Sequence, residues 1–269
     1  MNIVCVGDCG IDHYVSSDER RVGGITANFA LQARQCFVQE DRIQIVAPLG
    51  NDAAADMVRD RLAGNDLECR FTVIPGSTPV QSIELDARGD RRFTAYDEGV
   101  LGQFRIEGED AAYVQCADLV VAPVFEQNRA MFSSLIALSR QGMTAVDFSD
   151  FAQHADFDLL DKYIDQIDVG FFGLRADQTE MIESLRLLAN TQKVLIVVTL
   201  GTDGSRAFHG GSSFRCAAHP VRNVVDTTGA GDAFAAGFLS HYCRTADIDA
   251  ALSSGAEVAA AVVQKHGAT

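Results

Sequence analysis

The stretch Asp226–Phe238, DTTGAGDAFAAGF, brings glycines, a carboxylate and an apolar helical repeat into one short run. Val221, Val224 and Val225 lead into it, and Ala233, Phe234, Gly237, Phe238 and Tyr242 follow at helical spacing. Gly229, Ala230 and Gly231 form the junction, where the glycines let the backbone turn tightly and aim several N–H groups at one spot. Those groups open a helix, so the positive end of its dipole faces the same spot. Such a nest suits phosphate, or the negative charge that builds up during phosphoryl transfer. Asp232 stands at its mouth, where a base that takes a proton from an attacking hydroxyl belongs. A glycine-rich helix start, with Asp232 favouring the dipole, accounts for G-x-G alone; the full string is far more specific.

Other elements must bring a substrate to that nest. Asn2–Val6 is a short apolar run ending in Gly7-Asp8, as expected of a buried strand whose tip carries function. Asp8 and Asp12 lie across the following turn, close enough to converge on one ligand or simply to cap the turn. Gly23-Gly24 precedes a helix over Ile25–Phe37, with Asn28 near its first turn. Ile43–Pro48 reads as the next strand, and Asp52 caps a helix over Ala53–Gly64.

From Arg70 to Tyr96 the pattern changes. Phe71–Ile74, Val80–Asp86 and Arg92–Tyr96 are β-rich and separated by Pro-Gly-Ser and Ala-Arg-Gly-Asp turns. Hairpins of this kind do not join a parallel sheet, which needs crossover helices. Residues 70–97, together with about 11–21, are expected to form a separate β flap. Strands then fall at Leu119–Ala122, Ala145–Phe148, Val169–Phe172 and Val194–Thr199, and helices at Asn128–Gln141, Asp177–Ala189 and Asp249–Lys265. This alternation predicts an α/β fold: a mostly parallel sheet covered on both faces, with ligands at the strands' carboxyl ends. No repeat, low-complexity tract or linker divides residues 1–269, so they read as one domain.

With 47% hydrophobic residues the chain has ample material for a core, and its net charge of −15 repels nucleic acid and anionic membranes. Neither is an expected partner, and any phosphate must be held by backbone dipoles, a few cations and a metal. The seven cysteines lack a C-x-x-C pair, which points to reduced thiols rather than disulfides or zinc. The N-terminus lacks a signal-peptide pattern and no run of about 18 apolar residues occurs, so a cytoplasmic location is expected.

The run Asp226–Asp232, with Phe234 and Gly237 behind it, resembles the C-terminal signature of the ribokinase-like (PfkB) carbohydrate kinases. The resemblance implies that Gly229, Ala230 and Gly231 form the anion hole and that Asp232 is the catalytic base. Val22-Gly-Gly-Ile-Thr-Ala-Asn28 resembles the family's N-terminal signature, in which the glycine pair and the asparagine contact sugar hydroxyls. Gly24, Asn28, Asp8 and Asp12 are thus implied to orient a sugar. Thr199-Leu-Gly-Thr-Asp-Gly204 resembles the loop that lines ATP, through Thr199, Gly201 and Gly204. Asp226 and Thr228 resemble positions that hold a monovalent cation such as K+. The fold implied is the three-layer ribokinase-like one, with the β flap as a lid over the sugar and as a homodimer interface.

One departure stands out. The family's N-x-x-E motif, which organises Mg2+ and phosphates, is here Gly173-Leu-Arg-Ala-Asp-Gln-Thr-Glu180, without the asparagine. Glu180, or Asp177, is left to take the acidic role through water, or both belong to an acidic helix start. Three further strings, Tyr96-Asp-Glu-Gly-Val100, Val146-Asp-Phe-Ser-Asp150 and Lys265-His-Gly-Ala268, resemble members acting on sugar–amino-acid (Amadori) conjugates. Many relatives carry D-x-N where this chain has Asp147-Phe-Ser-Asp150. Tyr96 and Glu98 join the implied substrate contacts. Asp97, Glu98 or Asp150 would meet the ammonium of an amino-acid tail and Arg91 or Arg92 its carboxylate, unless they are solvated surface charges. The activity implied is transfer of the ATP γ-phosphoryl group to a primary hydroxyl of such a sugar-amine. A kinase for another ketose, a ribose-like sugar or a nucleoside, and a non-catalytic sugar sensor, are the alternatives.

Overall fold

The computed structural model describes residues 1–86, 89–151 and 157–269. Among these the strands are β1 (Asn2–Val6), β2 (Gly10–Tyr14), β3 (Glu19–Gly23), β4 (Arg42–Leu49), β5 (Glu68–Val73), β6 (Val80–Leu85), β7 (Arg91–Asp97), β8 (Leu119–Pro123), β9 (Met143–Asp150), β10 (Val169–Gly173), β11 (Leu195–Thr199), β12 (Ser205–His209) and β13 (Ser212–Cys216). The helices are α1 (Ile25–Cys36), α2 (Ala53–Ala63), α3 (Gly108–Gln115), α4 (Arg129–Ile136), α5 (Phe157–Tyr163), α6 (Thr179–Thr191), α7 (Ala230–Thr245) and α8 (Ile248–Val262).

Side chains alternate across a strand, and here both faces are apolar. Ile3 and Cys5 of β1 pack on one side and Val4 and Val6 on the other; β8 repeats this with Leu119 and Val121 against Val120 and Ala122. A sheet with two apolar faces needs helices on both. On the first face α1, α2, α7 and α8 cover it, through Phe29, Leu62, Phe238 and Leu252. On the other, α4, α5 and α6 supply Phe132, Leu160 and Leu185, and α3 supplies Val114. The large sheet runs β13-β12-β11-β10-β9-β8-β1-β4-β5, parallel except for β12 and β13. Asp52 caps α2 as expected, its side chain accepting from the Ala55 N–H.

A second sheet, β3-β2-β6-β7, contains Gly10–Tyr14, Glu19–Gly23, Val80–Leu85 and Arg91–Asp97. This corrects the expected extent of the flap. Residues 70–73 belong to β5, which pairs parallel to β4 from Gln44–Glu68 to Leu49–Val73. The reason is local: α2 is itself the crossover that lets the following strand return parallel to β4. Ala87 and Arg88 of the Ala-Arg-Gly-Asp turn lie outside the described residues.

Other differences are smaller. The helix expected over 128–141 stops at Ile136, where the Arg140 guanidinium takes the Leu135 carbonyl. Helix α3 and the β12–β13 hairpin were not anticipated. Among the described residues no helix is long and apolar enough to cross a membrane.

Candidate active site

The two signature segments meet through one hydrogen bond. Asn28, in the first turn of α1, donates from Nδ2 to Asp232 Oδ2 at 2.9 Å, although 204 positions separate them. Both side chains are buried, and α1 packs beside α7, so the apolar faces of two helices hold this pair in register. Among the described residues Asn28 Oδ1 has no partner. A buried acceptor without a donor is costly unless a ligand or water completes it.

Asp8, at the tip of β1, turns its carboxylate onto the start of α1. It accepts from the N–H groups of Ile25 at 3.0 Å and Thr26 at 3.3 Å, and from Thr26 Oγ1 at 3.4 Å. Asp8 therefore caps that helix from outside its own chain segment. The glycine pair makes this approach possible. Gly24 has φ 97°, and a Cβ there would lie 2.8 Å from the Asp8 carbonyl oxygen. A Cβ on Gly23 would fall 2.2 Å from the Asp12 carboxyl carbon, so Asp12 fits against β3 only because that residue is glycine.

Asp147 joins this group, although its string in the sequence was read only as a mark of substrate class. Alternation along β9 puts it on the same face as Ala145, beneath α1 and α7, while Val146 and Phe148 anchor the other face. Ser149, at φ 53°, directs its N–H to Asp147 Oδ1 at 2.6 Å.

Carboxylates gathered away from water resist ionisation. Burial, and then the neighbouring Asp147, push the Asp232 carboxyl well above the usual carboxylate range; its bond to Asn28 opposes this. Asp12 is raised to about 7 by burial and the Asp8 charge, and Asp147 to about 6, chiefly by burial. Arg91, on β7, is the guanidinium whose charge lowers all three. It is held in place by the signature loop, donating from Nη1 to the Thr227 carbonyl at 2.9 Å, while its N–H meets Thr227 Oγ1 at 3.2 Å. The Nη1 bond uses one of five guanidinium donors, so Arg91 stays a candidate for meeting an amino-acid tail. Arg92 stays exposed. Tyr96 extends over the same site, with its hydroxyl oxygen buried and unpartnered and its ring edge-on to Phe125 at 6.0 Å. Glu98 is exposed beside Gly102.

The glycine nest has the predicted form. Gly229 is the N-cap of α7 in the left-handed conformation, φ 76°, and Ala230, Gly231 and Asp232 begin the helix. Around Gly231 there is open space, with nothing within 4 Å of an added Cβ. Among the described residues no hydrogen bond occupies the N–H groups of Gly231 and Asp232. An anion placed there meets two free donors and the helix dipole beside a carboxylate of raised proton affinity.

The remaining candidates stand apart. Thr199 ends β11, Gly201 faces open space and Gly204 has φ 86°; among the described residues no hydrogen bond or ion pair links them to Asp232. Glu180 is exposed in the first turn of α6, and Asp177 pairs with Arg175 at 3.2 Å. Among the described residues no three His, Cys, Asp or Glu side chains converge on a metal position.

Asp226 and Thr228 are brought together by hydrogen bonds. Asp226 Oδ1 accepts from the Thr228 N–H at 2.8 Å. Its Oδ2 accepts from Tyr14 Oη at 2.7 Å, the Gly267 N–H at 2.9 Å and His266 Nδ1 at 3.0 Å. Burial would raise this carboxyl, but the bonds from Thr228, Gly267 and Tyr14 prevail and hold it at about 2. Tyr14 and His266 had no site role in the sequence reading, and their partner lies 212 and 40 positions away.

With this geometry in view, the comparisons are consistent. The fructoselysine 6-kinase of Escherichia coli (strain K12) is 30% identical over 268 residues, covering 99% of this chain and 98% of the relative. The fructosamine kinase FrlD of Bacillus subtilis (strain 168) is 26% identical over 275 residues, covering 100% and 93%. Among solved structures, a probable sugar kinase from Rhizobium etli CFN 42 shares the fold with a TM-score of 0.83 at 18% identity, covering 99% of this chain and 94% of that one. The three-layer ribokinase-like fold expected from the sequence is the one observed. Residues 1–269 match the family model described as pfkB family carbohydrate kinase, and the chain belongs to that family.

Proposed function

We propose that this carbohydrate kinase transfers the γ-phosphoryl group of ATP to the 6-hydroxyl of an Amadori compound, fructoselysine or a close relative, in the cytoplasm. The observation that carries the reaction is the Asn28–Asp232 bond, which brings a sugar-side asparagine and a proton acceptor together where the starts of α1 and α7 meet. Asp232 takes the hydroxyl proton, and the freed oxygen forms its bond to the γ-phosphorus as the bridging β–γ oxygen leaves with ADP. A base working near neutral pH needs a proton affinity above that of an ordinary carboxylate, which burial and Asp147 supply. The unpaired N–H groups of Gly231 and Asp232 face the charge that develops on the transferred group. Asp8 and Asp12 orient the sugar with Gly24 and Asn28, and Tyr96 and Glu98 approach it from the small sheet, which acts as a lid.

Thr199, Gly201 and Gly204 line the nucleotide in this reading, and the open ground at Gly201 and Gly231 has room for it. Glu180 would reach magnesium through water, consistent with an ion that arrives on the phosphates and takes few protein ligands. Bound there, magnesium would neutralise phosphate charge. Val15, 46% exposed beside β2, and Phe93, 43% exposed on β7, suit the lid to a homodimer contact.

Full-length likeness to a fructoselysine 6-kinase and to a fructosamine kinase supports the substrate class. An assay with coupled ADP detection over fructoselysine, fructose, ribose and cytidine tests it. The kcat/KM for fructoselysine should exceed the others by about 10²-fold or more, the worth of two charge-assisted contacts to the tail. Equal or better activity on fructose, ribose or the nucleoside would leave a kinase of a different sugar. No ATP turnover with any of these compounds would favour a non-catalytic sensor.

A further inference from the structure

The oxygens around Asp226 are answered by donors. Four hydrogen bonds reach its carboxylate, three of them at Oδ2. The His266 tautomer with its proton on Nδ1 completes this set of donors. The neighbouring carbonyls of the C-terminal turn are taken as well. Val263 O accepts from the N–H groups of Val225 at 2.8 Å and Asp226 at 3.4 Å, and His266 O accepts from Arg21 Nη1 at 2.8 Å. Ala268 O accepts from Gln32 Nε2 at 3.1 Å, and Thr227 O from Arg91. Two guanidinium groups thus already serve this turn and loop.

A bound metal cation gathers several oxygens with lone pairs free, roughly six to eight for a calcium-sized ion. Among the described residues Thr228 Oγ1 is buried without a partner, while the Asp226 carboxylate takes four hydrogen bonds, Val263 O and Thr227 O two each, and His266 O and Ala268 O one each, which leaves far fewer than about six open oxygen sites. The donor set therefore does not fit a monovalent cation at Asp226 and Thr228.

It fits a mechanical purpose instead. Tyr14 belongs to β2 of the small sheet, and its ring meets His266 edge-on at 4.8 Å. His266 and Gly267 belong to the C-terminal turn, whose next residue, Ala268, lies against Gly229 of the nest. Thr228 belongs to the nest loop itself. One carboxylate joins all three.

We infer that Asp226 is a hydrogen-bonded pin that locks the C-terminal turn and strand β2 onto the anion-nest loop. This pin takes the place of a monovalent cation, and Tyr14 and His266 are positioning residues for phosphoryl transfer that works without K+. The inference rests on the kinase reading for its catalytic consequence, but two of its tests need no sugar.

The first test compares the full-length protein in potassium chloride and in tetramethylammonium chloride at equal ionic strength. A cation that binds only the folded state raises the melting temperature with its concentration. The melting temperatures should coincide in the two salts, and thallium(I), added as the nitrate in chloride-free buffer, should give no saturable NMR signal of a bound ion. Turnover on whichever sugar proves active should be the same in both salts. Saturable thallium binding, or activation by potassium, overturns the inference even if the substrate assignment holds. The second test is His266→Ala. It should lower kcat by roughly tenfold or more, the worth of one hydrogen bond to a charged group, with KM for the sugar little changed. Added imidazole should restore much of the loss. Loss of folding in that variant would leave the salt comparison to decide; retained wild-type kcat would remove His266 from the role.

Discussion

Gly229 and Gly231 look equivalent in the signature, yet their surroundings demand opposite outcomes from the same substitution. An alanine at 229 must hold φ 76°, a left-handed conformation that costs a residue with a Cβ roughly 1–2 kcal/mol. Its Cβ would also fall 2.3 Å from the Ala268 Cβ and 2.8 Å from the Ala268 Cα. Relieving such an overlap in a packed region costs about 1–3 kcal/mol. Together these make roughly 2–5 kcal/mol. At about 2–4 °C per kcal/mol for a chain of this size, the melting temperature should drop by about 4–20 °C. At 231 the backbone is helical and nothing stands within 4 Å, so alanine should leave stability unchanged or raise it by up to about 1 kcal/mol. The new methyl group instead enters the space over the free N–H groups. Losing one such donor to a transition state costs about 10²–10³-fold in kcat. Thermal melts by circular dichroism, read beside coupled-ADP kinetics on fructoselysine, check both halves. A Gly231→Ala variant that melts as early as Gly229→Ala, or turns over like the wild type, would refute the picture. Adding Ala268→Gly to Gly229→Ala should recover part of the overlap share of the lost stability, since the contact with the Ala268 Cα remains.

Two further outcomes follow from the same geometry. Asp232→Asn should cost about 10²–10⁴-fold in kcat while sugar affinity by calorimetry stays near wild type; a loss under tenfold would exclude Asp232 as the base. Asp12 keeps its proton up to about 7 in the folded chain but releases it near 3.9 when unfolded. The folded protein therefore binds more protons between those values, and the ligand-free enzyme should lose stability as pH rises through that window, by up to about 1.4 kcal/mol per pH unit. Asp12→Asn should flatten this slope in denaturant titrations, and an unchanged slope would count against the burial account of Asp12.

Much of this protein is legible one segment at a time. Continuous apolar runs mark β1, β8 and β11, Asp52 announces α2, and the Asp226–Asp232 string carries the helix-start nest with its carboxylate, because each depends on residues within a turn or two of one another. Pairings between distant segments are different. Nothing near residue 70 says that β5 returns to β4 rather than joining the small sheet; the crossover through α2 decides it. Nothing in the signature distinguishes Gly229, pressed against Ala268, from Gly231, open to the site. Asp147 becomes part of the acidic group only because β9 lies beneath α1 and α7, and Arg91 meets Thr227 across 136 positions. The same holds for Asp226, whose likeness to a cation position is written in its own string, while the donors that occupy it arrive from Tyr14 and His266. Local backbone preference and periodicity are encoded next to the residue they act on. Which donor reaches which acceptor is settled only when packing brings remote segments within about 3 Å of each other.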